Sequence, residues 1–142
     1  MSFKNLIIFL FVFFGCEKFE NTIPTDIMNN EEKYDKIIET IYNSDFSRFT
    51  LNQFISKQYF PKGLKESLKM TNLENRIEYL IFFKNNNCNQ KSFELKSDEY
   101  YLSYNPCPDD KFPKPKSYLN EGLTETWGIN ENWMIWKDND RW

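Results

Sequence analysis

Histidine is missing from all 142 residues. That gap removes the commonest general base, the usual activator of Ser and Cys nucleophiles, and the commonest metal ligand. Chemistry built on carboxylates, Lys or Tyr stays open, but the expectation for an enzyme falls and no cofactor is implied. Long basic runs are missing too. Lys and Arg number 18 against 21 acids, for a formal net charge of -3, so nothing marks the chain as a nucleic-acid binder. Cysteine is scarce, at three residues, none in a CxxC pair. No internal repeat is visible, and the length suits one ordinary domain.

Aromatics, by contrast, are plentiful: 14 Phe, 8 Tyr and 4 Trp make up 18% of the chain. Each buried ring takes roughly 150–250 Å² out of water, so a small core can be built from few residues.

The N-terminus has its own pattern. Lys4 is followed by an unbroken apolar run from Leu6 to Phe14, then Gly15 and Cys16. A single positive charge, a short apolar run and a small residue before a cut site form the three parts of a secretory signal. Nine apolar residues rise only about 13 Å as a helix, against a hydrocarbon core of about 30 Å, so the run is too short to stay as a membrane span. The stretch Phe13-Phe14-Gly15-Cys16 resembles the cleavage motif of bacterial lipoprotein signal peptides, in which a small residue precedes the Cys that is acylated. Gly15 and Cys16 match; Phe13 stands where an aliphatic residue is usual and Phe14 where a small one is. The resemblance implies removal of residues 1–15, lipidation of Cys16 and a place in the bacterial cell envelope. The outer membrane is the expected site, facing the periplasm or the cell surface. Removing residues 1–15, with one Lys and no acid, takes the formal charge to -4.

Residues 16–29 read as the lipidated Cys and a tether, because Thr22, Pro24, Thr25 and two Asn interrupt any period. Twelve extended residues would span about 40 Å and hold the rest clear of the headgroups. Residues 30–142 then form a single domain. Asn29 as N-cap and Glu32 three residues on suggest a capping box, followed by Tyr34, Ile37, Ile38 and Ile41 on one stripe. Thr50 suggests a second helix carrying Leu51, Phe54 and Ile55, ending before Pro61. Leu64 and Leu68 suggest a third over 62–70, weakened by Gly63.

Beyond Leu73 the pattern shifts toward strands. Residues 76–84 are rich in β-branched and aromatic side chains and read as a strand, although Leu73, Ile77, Leu80 and Ile81 would also suit a helix. Phe93 and Leu95 alternate with Glu94 and Lys96, and Tyr100 to Tyr104 follows a Ser97-Asp98 turn. Residues 105–117, with four prolines, read as a loop, and Leu123–Ile129 with Trp133–Lys137 as a closing hairpin. Helices first and strands after give an α+β fold, the helices packed on one face of an antiparallel sheet of four to five strands. In order and size this resembles cystatin-like and NTF2-like folds.

Cys88 and Cys107 are the thiols left once Cys16 is acylated, and an oxidising compartment would bridge them. A meander over 77–105 would bring their loops to the same end, with no CxxC or His to favour redox or metal work. Asp109-Asp110, and Asp138 with Asp140, read as solvated charge, since no glycine or downstream Glu completes a calcium loop. The contact candidates are aromatic: Tyr101, Trp127, Trp133 and Trp136. If Ile129 pairs with Trp133, then Trp127, Ile129, Trp133 and Ile135 share a face opposite Met134 and Trp136; a two-residue turn would instead put Trp136 with Trp127. Either way one Trp points apart, packed under a loop or presented to a sugar or a partner protein. The Lys111–Lys116 loop is a second contact candidate.

The functional expectation is a non-enzymatic, membrane-anchored binding or accessory module with a protein or glycan ligand. The alternatives are an immunity or inhibitor protein against a toxin or hydrolase, and a small carboxylate-dependent enzyme.

Overall fold

A computed structural model describes residues 18–139. Cys16, the signal-like run, Asp140 and Trp142 lie outside the described residues. The first element is a helix where the composition suggested a tether: α1 (Phe19–Asn29) buries Phe19, Ile23 and Ile27. Their spacing of four puts all three on one side of the helix. Pro24 masks that stripe: six residues into the helix it cannot donate to the Glu20 carbonyl, yet the element runs on to Asn29. The burial of three large side chains offsets the loss.

A single residue, Asn30, separates α1 from α2 (Glu31–Asn43). Asn29 is therefore the last residue of α1 rather than the cap of α2, and the expected capping box is not formed. Asn30 instead donates through its amide to Asp26 Oδ1 at 2.8 Å, holding the corner between the two helices. The stripe itself is as read: Tyr34, Ile37 and Ile41 are buried and Ile38 is partly so.

The helix expected from Thr50 is absent. Thr50 N–H donates to Gln53 Oε1, Asn52 adopts a φ of 61°, and the chain enters a two-residue strand, β1 (Ile55–Ser56). Leu51 and Phe54, the proposed apolar face, are exposed. Only Ile55 is buried, and it pairs with Leu80. The helix α3 (Lys62–Met70) forms as read, with Leu64 and Leu68 inward. A Cβ on Gly63 would stand 3.3 Å from Thr40 Cγ2, so the glycine lets α3 approach α2 closely.

Six further strands follow: β2 (Tyr79–Phe83), β3 (Ser92–Lys96), β4 (Tyr100–Tyr104), β5 (Tyr118–Asn120), β6 (Thr124–Gly128) and β7 (Trp133–Asp138). All pairings are antiparallel, in the order β1-β2-β3-β4-β7-β6-β5. The fold is thus α+β, with seven strands rather than four or five. The two additions, β1 and β5, are edge strands of two and three residues, too short to leave an alternating pattern.

Helices cover one face of the sheet. Phe19 stacks on Tyr100, Tyr34 meets Trp133 edge-on, and Tyr42 meets Phe93 and Tyr104. Cys88 and Cys107 are joined, Cα atoms 6.1 Å apart, across the loops after β2 and β4. Amides continue the joint: Asn85 donates to Asn105 Oδ1 at 2.7 Å, Asn87 to the Cys107 carbonyl, and Asn132 to the Asn105 carbonyl. Three loops at one end of the sheet are thereby fastened together.

Candidate binding face on the open side of the sheet

Side chains alternate across a strand. With Tyr100, Leu102 and Tyr104 turned toward the helices, Tyr101 and Ser103 of β4 point to the other face. Trp133 and Ile135 of β7 turn inward, which sends Met134 and Trp136 outward. The hairpin register decides this: Gly128 pairs with Met134, and Ile129 N–H donates to the Trp133 carbonyl. Of the two registers open from the sequence, the one pairing Ile129 with Trp133 is realised.

The four aromatic contact candidates consequently separate. Trp133 is a core residue, 3% exposed. Trp127 lies partly buried on the helix side, between Tyr100 and Tyr118. Tyr101 and Trp136 come together on the open face as a cross-strand pair, stacked with ring centroids 3.9 Å apart and planes 4° from parallel. Lys96 Nζ lies 5.2 Å from the Tyr101 ring centroid, on the neighbouring strand away from Trp136.

A carboxylate sits beside the stack that sequence reasoning did not single out. Glu94 Oε1 accepts from Ser103 Oγ at 2.7 Å and from Trp136 Nε1 at 2.8 Å, while Trp136 Nε1 also approaches Ser103 Oγ at 3.1 Å. Burial pushes the Glu94 carboxyl above its ordinary range, and the two hydrogen bonds pull against that shift. Alternation between Phe93 and Leu95 did mark Glu94 as outward-facing. Its partner Trp136 lies 42 residues away, however, and no local pattern announces that contact.

The hydrogen-bond partners of Glu94 are a hydroxyl and an indole, and the Glu94 charge, after burial, helps hold the nearby Tyr101 phenol above its ordinary range. Among the described residues, no group of three or more His, Cys, Asp or Glu is placed to hold a metal ion. Asp109 accepts from Lys111 N–H in a local exposed turn, and Asp110 is likewise exposed. The Lys111–Lys116 loop carries exposed Lys111, Lys114 and Lys116 and is held down at its C-terminal end. There Gly128 N–H donates to the Ser117 carbonyl, and a Cβ on Gly128 would collide with the Lys114 carbonyl. An open polar groove of about 520 Å³ lies beside α1, lined by Asn21, Thr25, Asp26, Asn72 and Arg76 among others. It does not reach the Glu94 cluster.

The raised Glu94 carboxyl gives a pH prediction. A group whose folded pKa is raised costs the folded state nothing while protonated in both states. It destabilises progressively as pH climbs through its folded value. Glu94→Gln keeps an acceptor for Ser103 and Trp136 but removes the buried charge. The variant should therefore equal the parent in urea resistance near pH 4 and exceed it at pH 7. A variant less stable at pH 7 than at pH 4, relative to the parent, would contradict this account of Glu94.

Comparison with family models, curated proteins and solved structures gives no match.

Proposed function

We propose that the chain is a lipid-anchored protein of the bacterial envelope whose folded part is a non-enzymatic binding module, meeting a partner protein through the open face of its sheet. One observation carries the binding half of this reading: a stacked Tyr101–Trp136 pair, flanked by Lys96 and hydrogen-bonded to Glu94, on the face the helices leave uncovered. Aromatic side chains with a polar handle, held rigidly, are what protein interfaces enrich. A sugar ring needs a free aromatic face to stack on. Both sides of Tyr101 are already occupied, by Trp136 and Lys96, so that ring has no face left for a sugar, which favours a protein over a glycan. The anchor half rests on Gly15-Cys16 and the apolar run before them. Among the described residues no helix is long and apolar enough to cross a membrane. An immunity or inhibitor role is a narrower form of the same reading, marked by one tight partner and salt-sensitive association.

The anchor is tested by mass spectrometry of the membrane-extracted protein. The expected N-terminus is Cys16 carrying acyl mass, and Cys16→Ala should lose both that mass and membrane retention. An intact N-terminus, or cleavage elsewhere without acyl mass, removes this half. The face is tested by a photo-crosslinking residue at Met134, on the open side, and at Lys33, on α2. A discrete protein adduct from position 134 alone, lost when Trp136→Ala is added, supports the face; equal adducts from both positions, or none, reject it.

A further inference from the structure

The helix that replaces the expected tether changes where the anchored protein can sit. Phe19 is 5% exposed, stacked on Tyr100 with centroids 5.3 Å apart, and lies under the Arg76 guanidinium. Only three residue steps separate it from Cys16. Whatever their conformation, three steps span at most about 10 Å. The 122 residues from 18 to 139 should have a radius of gyration of about 14 Å, larger than that reach. An anchor at Cys16 therefore cannot let the domain swing freely, and the edge that carries Phe19 must face the bilayer.

That edge can be traced through hydrogen bonds. Tyr100 opens β4 and pairs with Lys137 near the end of β7. The β3–β4 turn lies beside it, closed by Ser97 N–H to the Tyr100 carbonyl. Just past β7, Asn139 N–H donates at 2.7 Å to the carbonyl of Leu123, in the turn between β5 and β6. Leu123 is 63% exposed. The two turns carry Asp98, Glu99 and Glu121, with Lys137 3.5 Å from Glu99, so lipid electrostatics do not attract this edge and the anchor would supply the attachment. The opposite edge, about 17 Å away along five-residue strands, carries the disulfide-joined loops and the Asn130–Asn132 turn.

We infer that the anchored protein stands on its β3–β4 and β5–β6 turns, with Leu123 against the phospholipid headgroup layer and the disulfide-fastened loops pointing away from the membrane. The inference rests on acylation of Cys16. It leaves the open sheet face upright, accessible to a partner approaching along the membrane surface.

The test uses the lipidated full chain in vesicles of phosphatidylethanolamine with phosphatidylglycerol. A photo-crosslinking residue is placed at Leu123 or at Glu131, the latter in the turn at the far edge. Intact mass reports acylation and any crosslinked phospholipid on the same sample. Position 123 should gain phospholipid mass and position 131 should not. A flexible Gly-Ser insertion of roughly a dozen residues after Glu17, adding about 20 Å of mean reach, should keep the acyl mass while reducing the adduct at 123 several-fold. Acylated protein with no adduct at 123, or with equal adducts at both positions, overturns the orientation. Protein without acyl mass overturns the anchor itself, a separate and recognisable failure.

Discussion

Tyr34→Ala should cost the domain about 4 kcal/mol, in the range for removing a buried aromatic ring, and should leave it close to unfolding. Tyr34 is fully buried, with its ring edge-on to Trp133 at 6.1 Å. Its hydroxyl donates to Asp26 Oδ2 at 2.7 Å. Burial, then the hydrogen bond to Asp26, push the phenol far above its ordinary range, so it stays a neutral donor throughout the working pH span. One side chain thus fills the core under the sheet and fastens α2 to α1. Tyr34→Phe separates the two duties. It keeps the ring and loses the hydroxyl, leaving Asp26 with Asn30 as its side-chain donor, for a cost of about 1–2 kcal/mol. Urea titration followed by Trp fluorescence reads both variants. Because small domains hold only about 5–15 kcal/mol in total, a loss below about 1 kcal/mol for Tyr34→Ala would mean that the ring is not in the core.

The second large effect is expected from the disulfide. Replacing Cys88 and Cys107 together with Ser should lower stability by about 3 kcal/mol, the chain-entropy value for a loop of about 20 residues. The shift in melting temperature should be on the order of 10 °C. The native contacts around the bridge do not depend on sulfur. Asn85 still reaches Asn105, and Asn87 still reaches the carbonyl of residue 107. The loss should therefore come mainly from a freer unfolded chain, and the folded loops should keep their arrangement. Thermal unfolding of the parent with and without reductant gives an independent check. Reduction and substitution should agree, and a reduced parent that melts where the oxidised one does would show the bridge to be dispensable.

What could be read in the sequence tracks where local pattern and tertiary contact agree. α2 declared itself through Tyr34, Ile37 and Ile41, and α3 through Leu64 and Leu68, because burial follows the helical period. β3 matches through plain alternation, β4 through its tyrosine-rich run after the Ser97-Asp98 turn, and the bridge through chemistry and meander geometry. α1 failed the same reading because Pro24 and two threonines overlay a true stripe of Phe19, Ile23 and Ile27. Residues 50–56 failed in the opposite sense. Thr50, Leu51, Phe54 and Ile55 imitate a capped helix, yet Asn52 with φ 61° and the pull of the β2 edge turn the chain into a strand. At the open face, the sequence offers Tyr101 and Trp136 as candidates, but it offers Trp127 and Trp133 equally. Only the hairpin register separates them, and a one-residue slip exchanges the faces. Glu94 was seen to face outward without any sign of its indole partner, since side-chain contacts across 42 residues leave no local trace.

The strand order also sets a timetable for assembly. β2, β3 and β4 are consecutive in the chain and adjacent in the sheet, and residues 79–107 contain both sulfurs of the bridge. A chain emerging from its N-terminus, whether from a ribosome or across a membrane, delivers this whole meander before β5, β6 and β7 exist to pair. Closing it requires only short loops, whose entropic cost is small. The joining of Cys88 to Cys107 can thus precede arrival of the last hairpin, which adds to an edge already in register along β4. Maturation would then proceed as docking of Trp133 and Ile135 onto a prefastened sheet, with no stage at which the two thiols wait for the C-terminus.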